Sequence, residues 1–505
     1  MIPRRVRATC AFLACSSLLV AACGSDDASE SSGSADEATE ETTAEASDEG
    51  DAPVETAADA TEATEATEEP SEDATADASG DAIDVWIAFT DDRLDWTEQV
   101  AADFNEQNDG ADVVIQGYED YESLFDATLL AFDQGEPPAV VQYFEAATTE
   151  ARDAVGANGD AVFTNVEDAI GGRDEINGVP VVIDDVVESA ASYYTVDGTF
   201  TSMPWNTSSS TMFLNRTLLD AAGIEGTPET WDDLRTMCEE FMASDAATDS
   251  CITWPNHSWF LEQSVAQQGA TLVNNDNGRA ERATELEIDS AAMIDYIDFW
   301  KGLQDDGLYT YTGTQRDWGG TYDLFAAQEV PFLVYSSSDT TLLTDEGVNG
   351  GFDVESAFMP HNGDATDGGG NIIGGATLWL VDGLEESEQD SALAFMNFLN
   401  NPENAADWHR TTGYIPITNE SVALLESEGW FEENPNSLVA NEQLSAAPAT
   451  PATAGALVGN FVAIRDVITE AVEDILVNDV DAAERMATAQ EDAQQLLEEY
   501  NELFS

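Results

Sequence analysis

The chain has 505 residues, with 15 Lys plus Arg against 102 Asp plus Glu, for a formal charge of −87. So acidic a polymer is repelled by nucleic acid and by anionic lipid, which excludes both as partners. Its three histidines and five cysteines are scattered and show no metal-ligand spacing, so neither a metal nor another cofactor is expected.

The first 23 residues read as an export signal. Arg4, Arg5 and Arg7 precede "ATCAFLACSSLLVAA", an apolar run too short to span a bilayer comfortably. Small residues then lead into Cys23 in "LLVAACGS", a pattern that resembles the bacterial lipobox, in which the cysteine is lipidated and becomes the N-terminus. The alternative is ordinary signal cleavage beside an accidental cysteine. Residues 24–82 are almost wholly Ala, Ser, Thr, Gly, Asp and Glu, with no aromatic or basic residue, and predict a disordered tether. As a neutral coil it would reach roughly 40–45 Å, and charge repulsion extends it further.

Residues 83–505 are long enough for two domains. They hold 12 bases and 81 acids, with Lys301 the single lysine. Such a surface suits a saline setting, where salt screens self-repulsion within about 8 Å. "IDVWIAF" (83–89), "DVVIQGY" (112–118) and "AVVQYF" (139–144) read as strands alternating with helices at 93–107 and 121–135, which predicts a parallel sheet. A helical middle follows at 229–243, 259–269 and 290–306, with strands near 211–215 and 252–254. Strands return at 330–336 and 376–381, before helices at 387–399, 402–411, 457–476 and 481–503. A strand signal that leaves and returns predicts two lobes, approximately 83–195 plus 337–385 and 196–336 plus 386–505, with a ligand cleft between them. Cys238 and Cys251, close in sequence in an exported chain, are candidates for a disulfide.

Polar or glycine-rich islands end several apolar runs: "EDYES", "QYFEAAT", "MPWNTSSST", "VYSSSDT", "NIIGGATLW" and "HRTTGYIPIT". Read in order, and with "PENAADWHRTTGYIPIT", "FEENPNS" and "GNFVAIRDVI", they resemble the family-one extracellular solute-binding proteins of ABC importers. Within that family the match is to the sn-glycerol-3-phosphate-binding branch, over essentially all of 83–490. The resemblance implies a two-lobed α/β fold of the type II periplasmic-binding class, a monomer without enzymatic activity, and permease and ATPase partners.

It also carries a ligand set. Tyr121 in "DYE" matches the family's "NYE" and Glu145 in "QYFE" its "QVYE". Ser208 in "PWNTS" matches "PFNSS", and Ser336 in "YSSSD" matches "ASSGS". Gly375 is the second glycine of "IIGGA", Tyr414 matches "TGYLPIT", and Arg465 matches the arginine of "GNMPQIR". Trp254 and Trp259 correspond to the tryptophans lining the family's glycerol pocket. The chemistry agrees with a phosphate monoester: Ser208, Ser336, the Gly375 N–H, Tyr414 and Arg465 are donors. Glu145 is expected at the opposite end, accepting from glycerol hydroxyls, with Tyr121 beside it. Arg465 has Phe461, Val462, Ile468 and Thr469 at helical spacing, so no acid on its own helix pairs with it. The expected ligand is sn-glycerol 3-phosphate. The rivals are a glycerophosphodiester such as glycerophosphocholine, a sugar, or, from other classes, an extracellular hydrolase or an adhesion module.

Overall fold

The computed structural model describes residues 82–504 apart from 109, 157–158 and 366–368. The expected signal, Cys23 and the tether to residue 81 lie outside the described residues. No described helix is long and apolar enough to cross a membrane.

Two sheets organise the described chain. In the first, β1 (Ile83–Ile87) lies parallel to β2 (Val113–Gly117) and β3 (Val140–Phe144). Helices α1 (Asp92–Gln107) and α2 (Tyr121–Gln134) follow β1 and β2. Strand β10 (Gly374–Val381) runs antiparallel to β3, to β4 (Phe163–Thr164) and to β5 (Met203–Ser208). The second sheet has the order β7 (Ile252–Thr253), β8 (Phe332–Ser336), β6 (Ser210–Asn215) and β9 (Val354–Phe358). Ser209 alone separates β5 from β6, so the backbone passes from one sheet to the other within one residue. This is the two-lobed α/β arrangement expected from sequence.

The segments divide between the sheets differently from the sequence reading. Strand β5, expected in the second lobe, joins the first sheet; its polar composition hid a strand in which all six residues are buried. Helix α8 (Glu386–Leu399) also belongs with the first sheet, where Phe395 meets Phe104 of α1 at 5.3 Å between ring centroids. Strand β9, expected in the first lobe, pairs with β6 of the second.

The second core forms where α10 (Phe461–Asn478) packs against α11 (Ala482–Leu503). Phe461, Ile464, Ile468, Val472 and Ile475 repeat at three- and four-residue steps and bury one stripe of α10. The helix begins at Phe461 rather than 457, because Asn460 takes a left-handed backbone (φ 57°) that stops it. Cys238 and Cys251 form a disulfide with Cα atoms 5.4 Å apart.

Candidate functional site

Polar side chains converge where the two sheets meet. On β3, alternation turns Gln142 away from the Tyr143 face and buries it completely. Its Oε1 accepts from the Ala88 N–H at 2.6 Å, and its Nε2 donates to Asn206 Oδ1 at 2.9 Å. Asn206 Nδ2 in turn donates to the Tyr121 hydroxyl at 3.1 Å. The relay fixes which way both amides point. Tyr121 opens α2, where Asp120 and Ser123 form a capping box, and its ring stacks on Phe144 at 5.1 Å.

Immediately after β3 lies Glu145, buried and ion-paired. Arg465 follows Phe461 by four residues and so shares the buried stripe of α10, with its guanidinium over the Phe461 ring at 4.8 Å. Its Nη2 donates to Glu145 Oε1 at 2.6 Å, while Nε and Nη2 donate to the two oxygens of Glu262, each at 2.7 Å. Ser258 adds a 2.7 Å hydrogen bond to Glu262 Oε1. Both Ser258 and Glu262 sit on α6 (Ser258–Gln267). Burial pushes the Glu145 carboxyl above its usual pKa; Arg465 pulls it down and Glu262 pushes it up. Burial alone would weaken the Arg465 charge, but Glu145 and Glu262 more than restore it.

This arrangement corrects the expectation that Glu145 and Arg465 occupy opposite ends of the site. No acid on its own helix pairs with Arg465, as read; the adjacent Asp466 pairs with Arg316 instead. The partners come from residues 203 and 320 positions away in sequence.

A second cluster surrounds Tyr414. Its ring stacks on Trp408 at 5.5 Å and 7°, and its carbonyl lies 2.7 Å from His409 Nδ1. Burial raises its hydroxyl pKa, while Arg93 and the Asn206 and Ser338 side chains lower it. Gly413 precedes it at φ 101°, and a Cβ there would stand 2.7 Å from the Ser337 carbonyl, so only glycine lets this turn close on the Ser336–Asp339 turn. Ser336 Oγ accepts from the Ser338 N–H at 3.2 Å and from its hydroxyl at 2.9 Å. Asp339 is pushed above its usual range by burial and held down by Arg93 and Ser338. Arg93 itself pairs with Asp91 and lies over the Phe89 ring at 4.5 Å.

Of the candidate residues, Tyr121, Glu145, Ser336, Tyr414 and Arg465 therefore line this seam. Ser208, 3 % exposed, pairs with Gly374 across β5 and β10. Gly375 takes φ 95°, and a Cβ there would fall 1.8 Å from the Asn206 carbonyl. Its bare backbone thus serves the β5–β10 contact. Trp259 reaches the seam, donating to the Ile373 carbonyl at 3.3 Å beside Gly374. Trp254 does not line it: it is packed in the second core between Trp300 and Tyr309, at 5.0 and 4.5 Å. Sequence reasoning missed Arg93, Asn206, Glu262 and Asp339. Arg93, one of the few cations in the folded part, carried a signal; Asn206 and Glu262 are indistinguishable from surface polar residues until the fold is known. Among the described residues no group of His, Cys, Asp and Glu is placed to hold a metal.

The assembled seam offers hydroxyl and guanidinium donors together with carboxylate acceptors, the equipment for capturing a small polar solute. Residues 99–439 match the family model of the bacterial extracellular solute-binding proteins. The sn-glycerol-3-phosphate-binding periplasmic protein UgpB of Escherichia coli is 28% identical over 411 residues, covering 80% of this chain and 89% of the relative. UgpB from Mycobacterium tuberculosis, solved with glycerophosphocholine, superposes with a TM-score of 0.68 at 20% identity, covering 83% of this chain and 98% of that one. The cyclic α-maltosyl-1,6-maltose binding protein of Arthrobacter globiformis gives 0.64 at 18% identity, covering 82% and 98%. The chain belongs to the bacterial extracellular solute-binding proteins, the ligand-capturing components of ABC importers.

Proposed function

We propose that this protein captures a glycerol-bearing phosphate compound in the seam between its sheets and delivers it to a membrane permease. The sequence resemblance points to sn-glycerol 3-phosphate. The charge balance favours a glycerophosphodiester with a cationic headgroup, as in glycerophosphocholine. The observation that carries this preference is the pairing of Arg465 with both Glu145 and Glu262. Arg465 already faces two carboxyl groups, which leaves little of its positive charge for a phosphate monoester that brings nearly two negative charges. A zwitterionic diester brings no net charge, and the faces of Trp259, Tyr121 and Phe144 suit a quaternary ammonium group. Solved neighbours that take maltose-type sugars supply the second reading.

Calorimetry in saline buffer with glycerophosphocholine, sn-glycerol 3-phosphate and maltose separates these ligands. The expected order is diester, then monoester, with no binding of maltose. Binding of maltose alone, or of none of the three, overturns the proposal. The same reading has the protein exported and held by a lipid on Cys23, with residues 24–82 as its tether.

A further inference from the structure

Tyr193 and Tyr194 end the helix α4 (Glu188–Tyr194) side by side, with ring centroids 5.1 Å apart. The Tyr193 hydroxyl is satisfied: it donates to the Glu145 carbonyl at 2.9 Å and lies 3.2 Å from that of Ala456. Tyr194 is more deeply buried, at 0 % exposure, yet its hydroxyl has no hydrogen-bond partner among the described residues. A buried hydroxyl in a native fold ordinarily has one.

Its surroundings differ from those of the unpaired groups of the second core, and it shares the junction with the unpaired Thr207 hydroxyl. The indole N–H groups of Trp231, Trp254 and Trp300 lie in the hydrocarbon of the second core. Tyr194 instead lies where the two sheets meet, packed in one cluster with Ile373, which leads into β10, and Ile415, whose backbone bridges to Thr207. The ionisable groups acting on its hydroxyl are Glu145, Tyr193 and Tyr121. Tyr121 accepts from Asn206 and still has a proton to donate.

We propose that Tyr194 is a ligand-contacting residue, whose phenol donates a hydrogen bond to a phosphate or hydroxyl oxygen of the solute held beside Glu145 and Tyr121. This rests on the reading of the seam as the solute site. It makes Tyr194 a determinant of specificity, because a solute without an acceptor at this point leaves a buried donor unmade.

Tyr194→Phe removes the hydroxyl and keeps the shape, and two measurements test the assignment. Thermal unfolding without ligand should give a midpoint equal to or above that of the wild type, because no bond within the protein is lost. Calorimetry with glycerophosphocholine and with sn-glycerol 3-phosphate should show affinity falling by about tenfold, or about 1.4 kcal/mol. Unchanged affinity for a ligand that the wild type binds overturns the proposal. So does a lowered midpoint without ligand, which would reveal a structural partner for the hydroxyl. Failure of the wild type to bind either compound sinks the solute reading itself, and the Tyr194 assignment with it.

Discussion

Arg465 on α10 and Glu145 at the end of β3 meet at 2.6 Å, joining the two halves of the fold through residues 320 positions apart. Glu262 holds the same guanidinium through two further bonds, and all three side chains are buried. Removing the cation leaves two carboxylates buried without their partner. Arg465→Ala should therefore destabilise the ligand-free protein by roughly 3–5 kcal/mol, read from urea unfolding in saline buffer. Unchanged ligand-free stability, with only binding lost, would reduce Arg465 to a ligand residue.

Glu145 decides between two accounts of the site. If its negative charge opposes a phosphate, Glu145→Gln should raise affinity for sn-glycerol 3-phosphate several-fold and narrow the gap to glycerophosphocholine. The amide still accepts from Arg465, while Glu262 keeps its two bonds, so the fold should tolerate the change. If Glu145 instead accepts from glycerol hydroxyls, both affinities should fall together. Parallel titrations of the two ligands distinguish these outcomes.

How the sequence relates to this seam is clearest at Arg465 itself. A lone cation in an apolar helix is conspicuous by contrast, and its burial follows from the helical period. Its partners were illegible, because Glu262 meets it only through helix packing and Glu145 only through the tertiary fold, and among so many acids neither stands out. The first βαβ units were legible because periods of 2 and 3.6 alternate there. Strand β5 was not, since "MPWNTS" mixes polar residues into a strand buried on both faces, where the alternation that marks a half-buried strand is absent.

Arginines recur along the junction. Arg282 donates to both oxygens of Asp153 at 2.7 and 2.9 Å, and Arg316 lies 3.6 Å from Glu122 while also pairing with Asp466. Arg279 donates to the carbonyls of Ser192 and Tyr193 at 3.1 and 3.2 Å. Elements of the second half thus grip the first by scarce cations. The Arg282 and Arg316 pairs are partly exposed, so each contributes about 1 kcal/mol or less. The double variant Arg282→Ala, Arg316→Ala should increase the radius of gyration of the ligand-free protein in small-angle scattering. An unchanged profile would show that these pairs do not hold the halves together.

Cys23 carries a simpler prediction. If its thiol bears the lipid, Cys23→Ala should move the protein from the membrane fraction to the soluble exported fraction, without changing solute affinity. The distribution between fractions, followed by immunoblot, checks this. A variant that stays with the membrane removes Cys23 as the anchor.

Glu150, on the helix α3 (Thr148–Asp153), carries the pH dependence most open to measurement. Both carboxylate oxygens are buried and lack a hydrogen bond of full geometry. Burial pushes the pKa up to about 8; the amides of Phe461 and Val462 at the start of α10 pull it down, and Asp153 adds to the rise. Tyr500 lies within reach of the same charge. An acid whose folded pKa lies above its unfolded value holds its proton more tightly when folded. Its contribution is complete below the unfolded pKa, near 4.5, and is lost as pH rises through about 8. Between those limits the wild type should lose about 1.4 kcal/mol of stability per pH unit relative to Glu150→Gln, with a ceiling of about 5 kcal/mol. Above about pH 8 the difference should level off. Denaturant unfolding of both proteins from pH 5 to 9, at constant salt, measures that difference directly, and a flat difference would place the Glu150 proton elsewhere.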